Sequence, residues 1–204
     1  MKLIVGLGNP GDFYADSRHN IGFSVIRALS KGLKAPLKRD KGTFSLSGRA
    51  GYAKQSLILA MPLTFMNLSG NAVADLAKKY RIDLNNLLVV CDDLDLEFGR
   101  IRIRARGSSG GQRGLASIIE VLGSDKFARL RIGIGRPVKA KEASEYVLSP
   151  FTGKEKKQML KVLSKAQECC ETWVNQGITE AMNIFNQRSL VRQESRRTRD
   201  KFTH

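Results

Sequence analysis

The sequence predicts an α/β fold in which helices flank one mostly parallel or mixed β-sheet. Short apolar runs with strand character alternate along the 204 residues with segments of helical periodicity. We find no internal repeat and no linker rich enough in Pro or Gly to divide the chain into two domains. With 42% hydrophobic residues, a chain of this length can bury one substantial core.

The first half of the chain begins with an apolar run at 2–7 that predicts a buried strand. Residues 20–33 predict a helix, because their apolar side chains recur every three to four positions. The Lys- and Gly-rich residues 34–55 predict a loop with a weak hairpin. A second apolar run at 56–61 predicts a strand, and residues 67–80 predict the next helix.

The second half continues the alternation. A fully apolar run at 87–91 and residues 129–134 predict strands, and residues 100–106 alternate between arginine and apolar side chains, as a strand with one exposed face does. Helical periodicity follows the Gly- and Ser-rich residues 107–111. The predicted helices of this half are 115–122, 152–175 and 179–186.

The charge of the chain predicts a polyanionic partner. The formal net charge is +16, and residues 188–204 hold only +4 of it, from six basic and two acidic residues. Most of the excess therefore belongs to residues 1–187, which we expect to form the folded domain, followed by a basic, flexible tail. Nucleic acid is the expected partner, and a solvated basic surface is the alternative.

The cysteines predict neither disulfides nor a metal site. Cys91, Cys169 and Cys170 are odd in number and include an adjacent pair, and the chain has only two histidines. No run of 18 apolar residues and no signal-peptide pattern is found. We therefore expect a cytoplasmic protein that does not interact with membranes.

The stretch GLGNPG at 6–11 matches the G-x-G-x-x-G pattern of dinucleotide-binding sites. Such a site needs a helix that begins within the glycines and an acidic residue about 20 positions further on. Here Pro10 lies within the motif, and residues 28–34 contain no acid. We therefore expect no dinucleotide, which argues against a nicotinamide oxidoreductase.

The stretch GSSGG at 107–111 matches the G-x-S-x-G pattern of serine hydrolases. That mechanism requires a histidine after the serine, and the only one is His204 at the end of the basic tail. A loop that contacts phosphate is the better interpretation.

Polar side chains that follow three predicted strands indicate a site. Asn9, Asn67 and Asp92 each come after a strand, and ligands of α/β sheets gather at the carboxyl ends of strands. His19 lies in the loop after the first strand and can reach the same edge. A His–Asp pair can act as a general base on water, while amides stabilise an oxyanion. Turn and helix capping is the structural alternative for these residues.

An arginine stripe marks the strand at 100–106. Arg100, Arg102, Arg104 and Arg106 share one face at period two, with Ile101, Ile103 and Ala105 on the other. Guanidinium groups match phosphate well, and Arg113 and Arg131 are candidates to join this face.

Six motifs occur in order over residues 1–187: VGLGNPG, Y-x(3)-RHNIG, P-x-TFMNLSG, V-x-DDLDL, GSSGGQRG and RLRIGIGRP. Together they resemble bacterial-type peptidyl-tRNA hydrolase. The resemblance implies a single-domain, monomeric three-layer sandwich with a twisted mixed, mostly parallel sheet. It implies hydrolysis of the ester between a peptide and the 3′ ribose of tRNA, without metal or organic cofactor, which recycles peptidyl-tRNA released from stalled ribosomes.

The resemblance also implies residue roles. His19 matches the catalytic base and Asp92 the residue that orients it. Asn9 and Asn67 match substrate contacts, and Tyr14 and Met66 match positions that line the same cleft. Arg104 and Arg131 match residues that hold tRNA phosphate, and we place Arg102 with them.

The loop GSSGGQRG departs from the family. Members commonly have H-N-G where this chain has Gln112, Arg113 and Gly114. We expect Arg113 to replace the amide contact of the usual Asn by a contact to phosphate. The departure also leaves an alternative function open, an RNA-binding relative of splicing-cofactor type without catalysis.

Overall fold

A seven-stranded mixed sheet forms the middle layer of the protein. The computed structural model describes residues 1–137 and 142–187. The strands are β1 (Lys2–Gly6), β2 (Lys38–Asp40), β3 (Ser45–Tyr52), β4 (Gln55–Pro62), β5 (Leu87–Asp93), β6 (Ile101–Arg104) and β7 (Ala128–Gly133). They lie in the order β2-β3-β4-β1-β5-β7-β6.

Helices cover both faces of this sheet. They are α1 (Ile21–Gly32), α2 (Ser69–Tyr80), α3 (Arg113–Leu122), α4 (Ala143–Leu148), α5 (Gly153–Gln176) and α6 (Ile178–Phe185). One core lies between the sheet and α1, α5 and α6, and a second lies between the sheet and α2 and α3. The predicted α/β sandwich of three layers is therefore confirmed.

The central strands β4, β1, β5 and β7 run parallel, and β3 and β6 run antiparallel to them. All seven residues of β5 are buried, as expected for a strand covered on both faces. Because parallel strands end at the same edge, the segments that follow β1, β4 and β5 meet there. The polar residues after these strands are thereby brought together.

Glycines let α1 pack directly on β1. A Cβ atom at Gly22 would lie 2.5 Å from the backbone N and O of Leu7, closer than any real contact. A Cβ atom at Gly6, on the facing strand, would lie 2.2 Å from the carbonyl oxygen of Gly22. A Cβ at Gly8 would meet Asn20 and Phe23 at 2.8 Å. Gly6 and Gly8 of GLGNPG thus serve helix–strand packing, a use that needs no dinucleotide.

Residues 34–55 contain more β-structure than the predicted loop with a weak hairpin. The structure has two strands there, and β3 pairs with β4 along its whole length. Ala53 and Lys54 make the connecting turn with φ values of 49° and 61°, in the left-handed region. Small residues hide the alternation of β3 (SLSGRAGY), so its formation depends on pairing with β4 rather than on its own propensity.

Two other boundaries differ from the prediction. Strand β6 ends at Arg104, so Ala105 and Arg106 lie outside it and both are exposed. The short helix α4 was not predicted, because six residues give too little periodicity. The hydroxyl of Tyr146 in α4 donates to the carbonyl of Ile134, 2.7 Å away, which joins the helix to the end of β7.

The predicted tail at 188–204 lies outside the described residues, so the domain boundary at 187 stays a prediction. Within the described residues, none of the helices has the length and apolar character needed to span a bilayer.

Candidate active site

The candidate active site is a cleft of about 520 Å³ at the carboxyl edge of the parallel strands. Helix α4 contributes Ala143, Ser144, Val147 and Leu148 to one of its walls. Most of the residues predicted from the sequence line this one cleft. They are Asn9, Tyr14, His19, Met66, Asn67, Asp92, Arg113 and Arg131.

His19 and Asp92 form a hydrogen-bonded pair in this cleft. The Nδ1 atom of His19 lies 2.8 Å from Oδ2 of Asp92, and the two residues are 8% and 2% exposed. Asp92 lies at the end of β5, and His19 lies in the 3₁₀ turn Arg18–Asn20 that precedes α1. The contact leaves Nε2 of the imidazole as the ring nitrogen that can exchange a proton with a bound molecule.

Arg18 anchors the turn that carries His19. Its guanidinium donates to both carboxylate oxygens of Glu155, at 2.9 and 2.8 Å, and its carbon lies 4.4 and 4.9 Å from the ring centres of Tyr146 and Phe151. These hydrogen bonds from Arg18 hold the pKa of Glu155 at about 2, well below its usual value of 4.5. The first turn of α5 therefore fixes the position of the candidate base.

Asn9 is held by its neighbours at the end of β1. Its Oδ1 accepts from the backbone N–H of Met66 at 2.8 Å. Its own backbone N–H donates to Oδ1 of Asn20, and its carbonyl accepts from Nδ2 of Asn20. Among the described residues, Nδ2 of Asn9 has no hydrogen-bond partner, so it is the donor this side chain offers to the cleft.

Asn67 and Arg113 are two polar side chains of the cleft that are free to contact a ligand. Asn67 is exposed within the 3₁₀ turn Met66–Leu68, and Arg113 is exposed at the first position of α3. Neither side chain makes a hydrogen bond or ion pair with the part of the chain that the structure describes. Tyr14 is half-buried, with its ring edge-on to that of Phe13 at 5.0 Å.

One contact of the site, which Gln112 makes, is not predicted from the sequence. Its Nε2 donates to Oδ1 of Asp92 at 3.1 Å and lies 3.2 Å from Sδ of Met66. Its Oε1 accepts from the backbone N–H of Leu115 at 2.7 Å and so caps α3. The sequence gives one indication that Gln112 is special, its position in QRG, where members of the family commonly have HNG.

The arginine face spans β6 and β7. In the antiparallel register, Arg102 stands opposite Arg131 and Arg104 opposite Arg129. Arg102 and Arg104 are exposed and lie outside the cleft, whereas Arg129 is buried. Like charges directly opposite each other across a sheet are destabilising, so this surface is suited to an anion.

Arg131 is less free than predicted. Its Nε lies 3.0 Å from Oδ2 of Asp93, and its Nη2 donates to the carbonyl of Ser109 at 3.2 Å. Arg129 donates to the carbonyl of Gly107 and to that of Asp125. Both arginines therefore hold the loop GSSGG beside the cleft, and Ser109 contributes its backbone to that scaffold.

The residues described, residues 1–137 and 142–187, contain no group of three His, Cys, Asp or Glu side chains that could hold a metal ion. Burial raises the pKa of the Cys169 thiol to about 12 and also raises that of the Cys91 thiol, so neither is a reactive thiolate.

The model of the family Peptidyl-tRNA hydrolase matches residues 3–194. The chain belongs to the peptidyl-tRNA hydrolase family. A peptidyl-tRNA hydrolase of Sulfurihydrogenibium sp. is 47% identical over 91% of this chain and 97% of its own length. One of Desulforudis audaxviator is 49% identical over 94% of this chain and 96% of its own.

Solved structures of the family have the same fold. The crystal structure of peptidyl-tRNA hydrolase from Acinetobacter baumannii superposes with a TM-score of 0.85 at 36% identity, covering 90% of this chain and 93% of that one. Family membership confirms the predicted resemblance and the class of enzyme.

Proposed function

We propose that this chain hydrolyses peptidyl-tRNA by direct attack of water on the ester, with His19 as the general base. Family membership supports the substrate and the reaction. The observation that supports the mechanism is the pair of His19 and Asp92, joined at 2.8 Å in the cleft. An intact pair of this kind favours an enzyme over a non-catalytic RNA-binding relative.

The reaction uses one imidazole twice. Nε2 of His19 takes a proton from water as the water oxygen bonds to the ester carbonyl carbon, and Asp92 stabilises the imidazolium that forms. When the tetrahedral intermediate collapses, the bond to the ribose oxygen breaks and that oxygen receives the proton from Nε2. The products are a peptide with a free carboxylate and a tRNA with a free 3′ end.

Two amides are suited to stabilise the oxyanion and to place the ester. The Nδ2 group of Asn9 is rigidly presented because Oδ1 is held by Met66. The amide of Asn67 is exposed at the same edge. Donors fixed before the reaction stabilise developing charge without reorganisation. Met66 and Tyr14 supply apolar walls for the substrate.

The arginine face supplies the tRNA phosphate contacts of this proposal. Arg102 and Arg104 are exposed beside the cleft-lining Arg131, and Arg113 faces the cleft from α3. Phosphates there would relieve the repulsion between facing guanidinium groups. One chain supplies every residue of this site, so we propose that the monomer is active.

The test is release of free tRNA from an N-acetylated aminoacyl-tRNA. We expect His19→Ala to lose about 10²-fold or more in turnover, the scale of a removed general base. The matched control is His204→Ala, the other histidine of the chain, which should retain full turnover. Full turnover by a folded His19→Ala variant would contradict the mechanism, and none by the unsubstituted protein would contradict the function.

A further inference from the structure

The carboxamide of Gln112 connects helix α3 to the candidate catalytic pair. The residue is 7% exposed and stands at the N-cap of α3. One end of its amide accepts from the backbone N–H of Leu115, and the other donates to Oδ1 of Asp92. Oδ2 of Asp92 is the oxygen that faces His19.

The orientation of this amide is determined by its two neighbours. A rotated amide would place Oε1 against the carboxylate of Asp92 and the NH₂ group against the N–H of Leu115. Both contacts would be repulsive, because each would join two acceptors or two donors. Helix α3 therefore commits Gln112 to donate toward Asp92.

We propose that Gln112 is a positioning residue, which fixes the Asp92 carboxylate so that Oδ2 holds His19 Nδ1. This inference rests on the proposed function, since it assigns Gln112 a part in the same reaction. A carboxylate bound through one oxygen can rotate, whereas donors at both oxygens define its plane.

The side-chain amide of Gln112 contacts Asp92 without adding a group that titrates. It donates a hydrogen bond but neither gains nor loses a proton over the working pH range. Gln112 therefore adds no titratable group beside Asp92. The other ionisable groups that line the cleft in the described part of the chain are Tyr14, Asp93, Asp95, Arg113, Arg131 and Arg136.

Substitution by shorter polar side chains removes the hydrogen bond of Gln112 to Asp92 while the cap of α3 is kept. Serine and asparagine are preferred N-cap residues, so Gln112→Ser and Gln112→Asn retain the cap of α3 but end short of Asp92. We expect kcat to fall about 10-fold or more with KM little changed, the loss of a hydrogen bond to a charged group. Their thermal unfolding midpoints should stay close to that of the unsubstituted protein.

The variant Gln112→Glu has the same length but the opposite effect on charge. One of its oxygens can still cap α3, while the other faces the Asp92 carboxylate. The added negative charge favours the protonated imidazole, so the acid limb of the pH–rate profile should move up by about one unit. Loss of a helix cap alone would not move this limb.

The matched control is Gln55→Asn at the opposite end of β4. Gln55 is half-buried and donates to the carbonyl of Val174 at 3.3 Å, but it is far from the cleft edge. We expect unchanged kcat and an unchanged pH profile. If the Gln112 variants behave like this control while the unsubstituted protein cleaves N-acetylated aminoacyl-tRNA, the positioning role is wrong and the proposed function stands.

A measurement without substitution tests the contact even if the Gln112 variants fold poorly. The side-chain amide protons of Gln112 should exchange with water more slowly than those of Gln176, which is exposed at the end of α5. Equal exchange rates in the two amides would overturn the inference, whether or not the protein hydrolyses the ester.

Discussion

Asn9 and Asn67 are both candidate oxyanion donors, but only Asn9 also belongs to the scaffold of the site. We expect Asn67→Ala to lower kcat by about 10²-fold, as the loss of one such donor does, with stability unchanged. Asn9→Ala should also destabilise the protein by about 1–3 kcal/mol, because the buried N–H of Met66 would lose its acceptor. Steady-state kinetics and denaturant unfolding check the two effects separately.

Two results would contradict these expectations for Asn9 and Asn67. If both variants lose activity and keep full stability, the contact of Asn9 with Met66 contributes nothing to the fold. If Asn67→Ala keeps full kcat, Asn67 is outside the reaction and Asn9 is the only amide left for the oxyanion.

His19, Asp92 and Asn67 could be predicted from the sequence because each follows a recognisable strand or lies in a loop that returns to the same edge. Gln112 could not be predicted in the same way. Its partner is 20 residues away in the chain, and their contact exists only because α3 begins beside the end of β5. A hydrogen bond between side chains depends on packing that no local pattern encodes.

At the scale of elements, the turn of His19 depends on α5 through the ion pair of Arg18 and Glu155. The pKa of Glu155 is lowered from 4.5 to about 2 in the folded protein. A lowered pKa contributes stability above about pH 4.5, and this contribution is lost as the pH falls toward 2. We therefore expect Glu155→Gln to have a lower free energy of unfolding than the unsubstituted protein at pH 7. This difference in free energy should become smaller below pH 4.5.

The measurement is the free energy of unfolding in urea between pH 7 and pH 3. Glu168→Gln, which removes an exposed carboxylate from the same helix, is the control for the change in net charge. If the difference in unfolding free energy caused by Glu155→Gln does not change with pH, the charge of the Glu155 carboxylate does not contribute to its contact with Arg18.

The close contact of α1 with β1 gives a second test at this scale. Gly22→Ala would place a methyl group 2.5 Å from the backbone of Leu7, so the helix must shift. We expect a destabilisation of about 1–3 kcal/mol, as for other overpacked cores, and lower activity, because α1 directly follows the turn of His19. Thermal unfolding and turnover measure both.

Gly153→Ala is the matched control for this substitution. Gly153 begins α5 and a Cβ atom there would meet nothing within 4 Å. Alanine should be neutral or stabilise the protein by about 0.4–1 kcal/mol, since it restricts the unfolded chain. Equal effects of the two substitutions would contradict the packing argument.

Long, periodic elements could be predicted from the sequence, and paired or short ones could not. Helix α5 was expected at 152–175 and lies at Gly153–Gln176, because its apolar stripe repeats over 24 residues. Strand β3 has little apolar character of its own and forms a strand because β4 supplies its hydrogen-bond partners. Helix α4 is held mainly by Tyr146 and its neighbours, which is again tertiary information.

Basic residues lie on both outermost strands of the sheet, β2 and β6, but only β6 lies near the cleft. Strand β6 carries Arg102 and Arg104 next to the loop that Arg129 and Arg131 hold. Strand β2, at the other edge, carries the exposed Lys38 and Arg39. Net charge alone makes both edges equally attractive to RNA, whereas the proposed mechanism requires the β6 edge.

A charge-matched pair of double variants distinguishes these possibilities. We expect Arg102→Gln with Arg104→Gln to weaken tRNA binding and to reduce the slope of log K against log salt by about two, one for each lost phosphate contact. Lys38→Gln with Arg39→Gln removes the same charge and should leave the slope nearly unchanged. Binding of uncharged tRNA, titrated from low to high salt, gives both slopes without interference from hydrolysis. Equal slopes for the two double variants would mean that the tRNA responds to the overall charge of the protein, and the β6 edge would then have no special part in holding the substrate.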